Sequence, residues 1–327
     1  MIRKIIILSS IICFNYFLVY ANNITDGNIQ LIVNERTGDF TLYCRDSPEQ
    51  RNYESLFNNE QGSSYAAIII DGKEYRLGGR DFPAQYEIQN GYPAFIYKSV
   101  SAAVTQIFTP VITGNSSVIN GIKITYIINN TGETNYSAGL RFLLDTNLGE
   151  GRGGTPFSLS SARITNETRI SNTTGEKYWI SKNNRAALMG SIINPSDNTQ
   201  KAPDYIIFAN WKRLHDSPWA FRFLQGRSFG SDSAVCYYYE PVPLESGGSI
   251  TYSIFLTAED TDWYNMEASR ETQQQAQIQR QIQTESPEND LRALLEIQGI
   301  LIRFIKGEID LSEQALDEIE NAVNKYR

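Results

Sequence analysis

Oxygen ligands for a cation stand close together in the glycine-rich stretch Asp145–Phe157. Asp145, Asn147 and Glu150 could each supply one oxygen from a flexible backbone, which is the chemistry that Ca²⁺ prefers. The stretch lacks the dense Asp/Asn spacing of an EF-hand loop, and Arg152 would oppose a cation. A structural loop at the end of a strand is therefore the favoured interpretation, and we predict no metal site here.

His215 is the only histidine of the chain, and it stands in His215-Asp216-Ser217, which holds the three residue types of a hydrolase triad. Adjacent residues of an extended segment point apart, so we predict that these three do not assemble into a triad. One histidine with at most two thiols also falls short of the usual zinc ligand set. None of the 37 acidic residues stands out as a glycosidase pair. We predict no catalytic residue and no cofactor.

Aromatic side chains are the more suggestive feature. Trp211 and Trp219 flank His215, and tyrosine occupies positions 237–239. Sugar-binding sandwiches expose aromatic rings, because a ring can stack on the apolar face of a pyranose, although large aromatics more often fill the core between two sheets. The ligand-binding candidates of the sequence are Asp145, Glu150, Trp211, His215 and Trp219.

The pattern of the chain up to position 262 is that of strands and turns. Asn28–Arg45 alternates apolar and polar residues around a turn, and Tyr65–Leu77 forms a second hairpin around Asp71-Gly72. About a dozen such strands at close spacing predict a mainly β protein. We expect residues 22–262 to form a large antiparallel two-sheet β-sandwich of the supersandwich type.

Composition changes after Asp262. Residues 263–327 are rich in Gln, Glu, Ala and Leu, and Ser286-Pro287 is typical of a helix start. Leucine and isoleucine then recur at helical spacing on both sides of Gly307. The segment predicts a C-terminal α-helical hairpin, whose apolar face could dock on the sandwich or on an envelope protein partner.

The first 21 residues have the three parts of a secretory signal peptide, with basic Arg3 and Lys4, an apolar run, and small residues before Asn22. We therefore expect a periplasmic or secreted protein with no membrane span in the mature chain. The formal net charge of the whole chain is −8, which gives no electrostatic reason to bind nucleic acid. Cys44 and Cys236 would be the cysteines of the mature chain, and they could form one disulfide or remain two buried thiols.

Three motifs carry a resemblance to a known group of proteins. They are Gly139-Leu140-Arg141-Phe142-Leu143-Leu144-Asp145-Thr146, Phe208-Ala209-Asn210-Trp211-Lys212 and Asp232-Ser233-Ala234-Val235. With these motifs the chain resembles a group of exported bacterial β-sandwich proteins, frequent in spirochaetes, whose function is largely undescribed. The resemblance covers most of Asn28–Thr257 and departs from the group at Tyr238-Tyr239, where a tryptophan is expected. It implies a location in the cell envelope and supplies no catalytic residue.

These observations together predict a non-enzymatic exported envelope protein with a structural or protein-assembly role. The alternative is a carbohydrate-binding module or a mutarotase-like carbohydrate-active enzyme, with a glycan as the ligand. Exposed aromatic rings around Trp211–Trp219 would favour that alternative.

Overall fold

The computed structural model describes residues 23–45, 52–58, 62–113, 116–146, 148, 150, 155–160, 162–192, 201–217, 219, 221–229 and 232–258. The chain divides into two compact units, Met1–Glu267 and Ala268–Arg327, and every described residue lies in the first unit. The predicted signal peptide and the predicted C-terminal helical hairpin both lie outside the described residues.

The elements of the described residues follow one another as short strands with a single helical turn region among them. In chain order they are β1 (Asn23–Asp26), β2 (Ile29–Val33), β3 (Phe40–Cys44), β4 (Glu54–Ser55), β5 (Tyr65–Ile70), β6 (Lys73–Arg76), β7 (Ala84–Gln89), β8 (Tyr92–Lys98), β9 (Ala102–Val111), β10 (Gly121–Asn130), β11 (Tyr136–Leu144), β12 (Thr155–Ser158), β13 (Arg163–Ile164), β14 (Thr168–Ser171), β15 (Tyr178–Lys182), β16 (Ala187–Ser191), β17 (Tyr205–Asn210), α1 (Trp211–Asp216), β18 (Ser233–Leu244) and β19 (Ser249–Ala258).

Two large antiparallel sheets form a β-sandwich. The nine-stranded sheet has the order β13-β12-β15-β16-β19-β10-β9-β8-β7, and the six-stranded sheet has the order β14-β17-β18-β11-β5-β6. Aromatic side chains of both sheets meet in the core between them. The rings of Tyr126 and Phe142 lie 5.7 Å apart, and the indole N–H of Trp179 donates to the hydroxyl of Tyr237 at 2.7 Å. The prediction of a mainly β, antiparallel sandwich is confirmed.

A third, four-stranded sheet of order β1-β2-β3-β4 adds to the two that the sequence predicts. Its Phe40 packs against Phe108 of the nine-stranded sheet and Phe142 of the six-stranded sheet, with ring centroids 5.1 and 6.1 Å apart. The third sheet therefore shares one continuous core with the sandwich. Short strands such as Glu54–Ser55 carry too little periodicity to be predicted from sequence.

Both predicted hairpins are confirmed. β2 pairs with β3, and β5 pairs with β6. Asp71 and Gly72 connect β5 to β6 with φ values of 47° and 80°, which is the left-handed backbone that a two-residue hairpin turn requires.

Candidate functional site

One face of the six-stranded sheet points away from the nine-stranded sheet, and we call it the outer face. α1 covers part of it. β11 and β18 are buried on both faces, so the outer face is not simply open to solvent. α1 packs against it through Leu214, which is fully buried in a second hydrophobic cluster with Tyr65, Cys236 and Tyr238. The candidate site is this outer face around α1.

α1 corrects one premise of the sequence analysis, which treated His215-Asp216-Ser217 as extended. Asn210 caps the helix, since its side-chain oxygen accepts from the backbone N–H of Arg213 at 3.3 Å. The Asn210 amide also donates to the carbonyls of Phe229 at 3.0 Å and Asp232 at 2.9 Å. A helix of six residues is too short to give a recognisable periodicity, so only the cap could have indicated it.

His215, Asp216 and Ser217 nevertheless have separate surroundings. His215 Nδ1 lies 3.3 Å from the hydroxyl of Tyr65. The Asp216 carboxylate accepts from Lys212 Nζ at 2.6 Å, and Ser217 is the residue that ends the helix. The described contacts thus join His215 to Tyr65 and Asp216 to Lys212 rather than to each other.

Arg141 lies at the centre of the outer face, with its side chain fully buried. Its guanidinium donates to the hydroxyls of Tyr65 at 3.2 Å and Tyr238 at 3.4 Å, and to the backbone carbonyl of Leu214 at 2.6 Å. Burial lowers the pKa of Arg141, whereas the neighbouring Cys236, Tyr238 and Tyr65 raise it, and the net shift is upward. Arg141 is therefore a permanent buried cation that ties α1 to the sheet.

Aromatic rings surround this buried cation. The Trp211 indole stacks on the His215 imidazole, with centroids 4.7 Å apart and an angle of 10° between the planes. The Trp211 indole N–H donates to the carbonyl of Ser63 at 2.9 Å. The ring of Trp219 meets Tyr238 edge to face at 5.9 Å. Trp211, His215 and Trp219 are all partly exposed, so the outer face ends in an aromatic rim.

Glu74 and His215 of the outer face also have shifted pKa values. Burial raises the pKa of the Glu74 carboxyl, against the opposing effects of Arg141 and of a hydrogen bond from the backbone N–H of Trp219. Burial lowers the pKa of His215, with Arg76, Arg141 and Lys212 acting in the same direction and Asp216 opposing them. The imidazole is therefore neutral at pH 7, and it can accept or donate one hydrogen bond.

Asp145 and Glu150 lie where β11 ends beside the start of β18. The Glu150 carboxylate accepts from the backbone N–H of Ser233 and, at 3.0 Å, from its hydroxyl. Burial raises the pKa of Asp145 to about 7; the neighbouring Ser63 hydroxyl lowers it, and the charges of Asp232 and Glu150 raise it. Asp145 and Glu150 form an acidic group beside Ser63 and Asp232, and both Ser63 and Asp232 also accept a hydrogen bond from Trp211.

The acidic group offers no metal site within the part of the chain that the structure describes. That part contains no set of three or more His, Cys, Asp or Glu side chains arranged to hold an ion. Asn147 and Arg152, which the sequence analysis weighed for and against a cation, lie outside it. The carboxyl of Asp145 instead faces hydroxyl and amide neighbours, Ser63 and Asn58.

The two cysteines are present as buried thiols in different sheets. Cys44 lies in β3 and Cys236 in β18, and the two side chains belong to different hydrophobic clusters. Of the two alternatives left open by the sequence, the described structure has the thiols rather than the disulfide. Burial raises the pKa of the Cys236 thiol despite the nearby Arg141, so the neutral thiol is favoured at that position.

Four residues of the outer face were not among the sequence candidates: Tyr65, Glu74, Arg141 and Tyr238. Two of them stand out in the sequence: Tyr238 belongs to the run of tyrosines at positions 237–239, and Arg141 is a charged residue inside the apolar run Gly139–Leu144. A charged side chain in a strand that is buried on both faces needs hydrogen-bond partners, and the hydroxyls of Tyr65 and Tyr238 accept from Arg141. Tyr237 and Tyr239 point into the core and Tyr238 to the outer face, as the alternation of a strand requires.

No protein-family model matches the sequence, and no curated protein is similar to it. Among solved structures, the chain is similar to a galactose mutarotase related enzyme from Lactobacillus acidophilus, with 7% identity, 73% of this chain and 97% of that chain covered, and a TM-score of 0.44. It is also similar to a galactose mutarotase-like protein from Lactobacillus casei, with 8% identity, 72% and 99% coverage, and a TM-score of 0.44. A putative aldose 1-epimerase from Escherichia coli K12 gives 11% identity, 72% and 98% coverage, and a TM-score of 0.41. At this level of similarity the three structures assign neither a family nor an activity to this chain.

The described residues include no helix that is long and apolar enough to cross a membrane.

Proposed function

We propose that the β-sandwich is a non-catalytic carbohydrate-recognition domain and that its binding site is the outer face around α1. The observation that carries this proposal is the partly exposed aromatic rim of Trp211, His215 and Trp219 beside Glu74. Aromatic rings can stack on the apolar face of a sugar ring, while carboxylate and imidazole groups bond its hydroxyls. Both kinds of group lie on one face here.

The rim is fixed in place before any ligand binds. Arg141 anchors α1 through the Leu214 carbonyl, and the Trp211 indole is tied to Ser63. Glu74 is held by the backbone N–H of Trp219. Groups that are already ordered lose little conformational entropy on binding, which favours recognition of a weakly binding, polar ligand such as a sugar.

The test is binding of the purified protein to a panel of neutral and acidic oligosaccharides, followed by calorimetry with the tightest binder. Trp219→Ala removes one ring of the rim and leaves the backbone N–H that holds Glu74. We expect this variant to bind about three- to tenfold more weakly than the wild type.

Tyr92→Ala is the matched control, because Tyr92 is an exposed aromatic residue (37%) on the nine-stranded sheet. It should bind as the wild type does. If no oligosaccharide of the panel binds, or if Tyr92→Ala and Trp219→Ala lose the same affinity, the proposal fails.

A carbohydrate-active enzyme is the second candidate, because Glu74 and His215 share the outer face and have pKa values shifted in opposite directions. A raised carboxyl pKa and a lowered imidazole pKa suit a general acid and a general base near neutral pH. Polarimetry of freshly dissolved aldoses tests this candidate. If the wild type increases the rate of mutarotation and Glu74→Gln does not, the result supports the enzyme. If the wild type leaves this rate unchanged, only the binding function remains.

We further propose that the protein is exported to the cell envelope, either to the periplasm or to the exterior, because residues 1–21 have the pattern of a signal peptide. The resemblance to exported spirochaete-type sandwich proteins supports the same location. An assembly role through residues 263–327 stays a prediction from their helical pattern. Pull-down from envelope extracts with the full chain and with a chain ending at Asp262 tests that role, since only the full chain should retain a partner.

A further inference from the structure

The segment that follows α1 carries a local positive charge. Residues 219–229 include Arg222 and Arg227 and no acidic residue, whereas the chain as a whole has a net charge of −8. The structure describes Trp219 and residues 221–229 of this segment, and we call residues 221–229 the basic loop. A local excess of cations on an acidic protein favours an anionic ligand at that place.

The basic loop lies at one edge of the outer face and adjoins the aromatic rim. Its Ser228 pairs with Asn166, two residues before β14, and β14 is an edge strand of the six-stranded sheet. Trp219 of the rim precedes the loop by two positions. Glu74, the carboxylate beside the rim, lies in β6, which is the opposite edge strand. The loop therefore extends the rim on the side away from Glu74.

A buried ion pair holds the basic loop in place. The Glu167 carboxylate, whose side chain is fully buried, pairs with Arg213 of α1 and accepts from the backbone N–H of Leu224 at 2.9 Å. Arg213 also donates to the carbonyl of Arg222 at 2.9 Å. The backbone N–H of Glu167 donates to the carbonyl of Arg227 at 2.6 Å. The backbones of both loop arginines are thus anchored to one ion pair.

The turn inside the basic loop is ordered as well. The backbone N–H of Arg227 donates to the carbonyl of Leu224 at 3.2 Å, and Gly226 has a φ of 79°, the left-handed backbone that glycine favours in such a turn. A fixed backbone presents the two arginine side chains from defined positions. Less conformational entropy is then lost when a ligand binds.

The guanidinium groups of Arg222 and Arg227 are available to a ligand. Both side chains are exposed, and neither makes a hydrogen bond or an ion pair with any residue that the structure describes. Arg213, in contrast, is occupied by Glu167 and is not counted as a ligand contact. Arginine is charged at every physiological pH, so the loop offers two permanent cations.

We propose that the outer face binds an acidic oligosaccharide, whose carboxylate or sulfate groups are bound by Arg222 and Arg227 while the aromatic rim stacks on a sugar ring. A guanidinium can donate two parallel N–H bonds to such a group. An anionic lipid surface fits less well, because Phe221, Phe223 and Leu224 are only partly exposed and do not protrude as membrane anchors do. This inference rests on the proposed function and names the class of its ligand.

The test is calorimetry with acidic oligosaccharides and with their neutral counterparts of equal length. The acidic set contains oligogalacturonate, alginate, hyaluronan and sulfated galactan fragments, and the counterparts are their methyl esters or desulfated forms. We expect the tightest binder to be acidic and its neutral counterpart to bind about tenfold or more weakly. A rise in NaCl from about 50 to about 500 mM should weaken binding of the acidic form only. Comparison of the carboxylated with the sulfated fragments tells which anionic group is preferred.

The double variant Arg222→Gln/Arg227→Gln should weaken binding of the acidic oligosaccharide by about tenfold or more and leave binding of its neutral counterpart unchanged. The matched control is Arg36→Gln/Lys98→Gln, which makes the same charge change at exposed positions in the β2–β3 turn and at the end of β8. This control should bind as the wild type does. Thermal unfolding shows whether each variant is folded. If the loop variant is not, the comparison of acidic and neutral forms with the wild type decides the outcome.

The failure of this inference can be told from failure of the proposed function. If a neutral oligosaccharide binds at least as tightly as the acidic ones and Trp219→Ala weakens its binding, this inference is wrong and the proposed function stands. If no oligosaccharide binds, both are wrong. Equal losses in the two double variants overturn the inference. So does binding to phosphatidylglycerol–phosphatidylcholine vesicles without binding to any acidic oligosaccharide.

Discussion

Trp179 of β15 and Gly190 of β16 are paired across the two strands and are in close contact. A Cβ atom at position 190 would lie 2.4 Å from the Trp179 ring, which is fully buried and bonded to Tyr237. The ring has no free space to move into, since Phe157 and Phe208 pack against it.

We therefore expect Gly190→Ala to lower the free energy of unfolding by about 1–3 kcal/mol. Urea unfolding of wild type, Gly190→Ala, Trp179→Phe and the double variant measures this. The cost of Gly190→Ala should shrink in the Trp179→Phe background, because the smaller ring leaves room. An equal cost in both backgrounds would show that the indole is not the obstacle.

Asp145 makes stability depend on pH. Burial raises the pKa of its carboxyl from the ordinary value of 3.8 to about 7 in the folded protein. The folded protein thus keeps a proton that the unfolded chain loses above about pH 4. The free energy of unfolding should fall as pH rises from about 4 to about 7 and should then level off. Asp145 should contribute on the order of 2–4 kcal/mol to this fall.

Asp145→Asn should flatten this part of the pH profile, because the amide cannot ionise. The measurement is urea unfolding of both proteins at several pH values from about 4 to about 8. Asp81→Asn, at a position with a largely exposed carboxylate, serves as the control and should keep the slope. A slope that is the same with and without the Asp145 carboxyl would contradict the assignment.

At the residue scale, the sequence showed which side chains could bind a ligand better than it showed where they lie in the fold. Trp211, His215 and Trp219 were chosen for their ring chemistry, and the structure brings them to one face. Glu74 could not be found, because an exposed-looking glutamate in a short strand carries no signal until β6 is placed beside β5 and β11. Long-range pairing, which the local pattern does not contain, decides such cases.

At the scale of elements, α1 depends on its cap. Asn210→Ala removes the acceptor for Arg213 and the two bonds to Phe229 and Asp232, whereas Asn210→Ser keeps a capping hydroxyl. We expect Asn210→Ala to lower the free energy of unfolding by about 2–3 kcal/mol, and Asn210→Ser to lower it by about 1 kcal/mol less. Chemical denaturation compares the two, and equal losses would mean that the cap does not stabilise α1.

Strands with a clear alternation and a strong turn were predictable, and α1 was not. The β5–β6 hairpin follows from Asp71-Gly72 alone, since these residues favour the left-handed backbone that the turn needs. Trp211–Asp216 looks like the continuation of a strand, because six residues show no helical period. Its helical state is determined by Asn210 and by the contact of Leu214 with the sheet.

At the scale of the whole molecule, the sandwich should be most stable at the centre of the six-stranded sheet. β11 and β18 are buried on both faces and each pairs with two neighbours, while β7 is an edge strand in which no residue is fully buried. Amide hydrogen exchange followed by mass spectrometry should find the slowest exchange in β11 and β18 and much faster exchange in β7. Comparable rates in β18 and β7 would contradict this account of the core.

The class of fold was predictable from the density of strands, but the number of sheets was not. β1–β4 form a separate sheet because Phe40 packs between Phe108 and Phe142, a contact between residues far apart in sequence. The outer face likewise combines β5, β6, β11, β18 and α1, whose order in the sheet differs from their order in the chain. A sequence pattern fixes each strand's buried face but not its neighbours.

The central claim is that a sugar binds at the outer face, and the tryptophan indoles report on it directly. Trp211 and Trp219 lie on the aromatic rim, whereas Trp179 is buried between the sheets and serves as an internal control. The measurement is a ¹⁵N–¹H NMR titration of the indole N–H signals with the tightest-binding oligosaccharide of the panel. The account predicts shifts of the Trp211 and Trp219 signals and an unchanged Trp179 signal. Binding that leaves the Trp211 and Trp219 signals in place, or that shifts Trp179 alone, would contradict it.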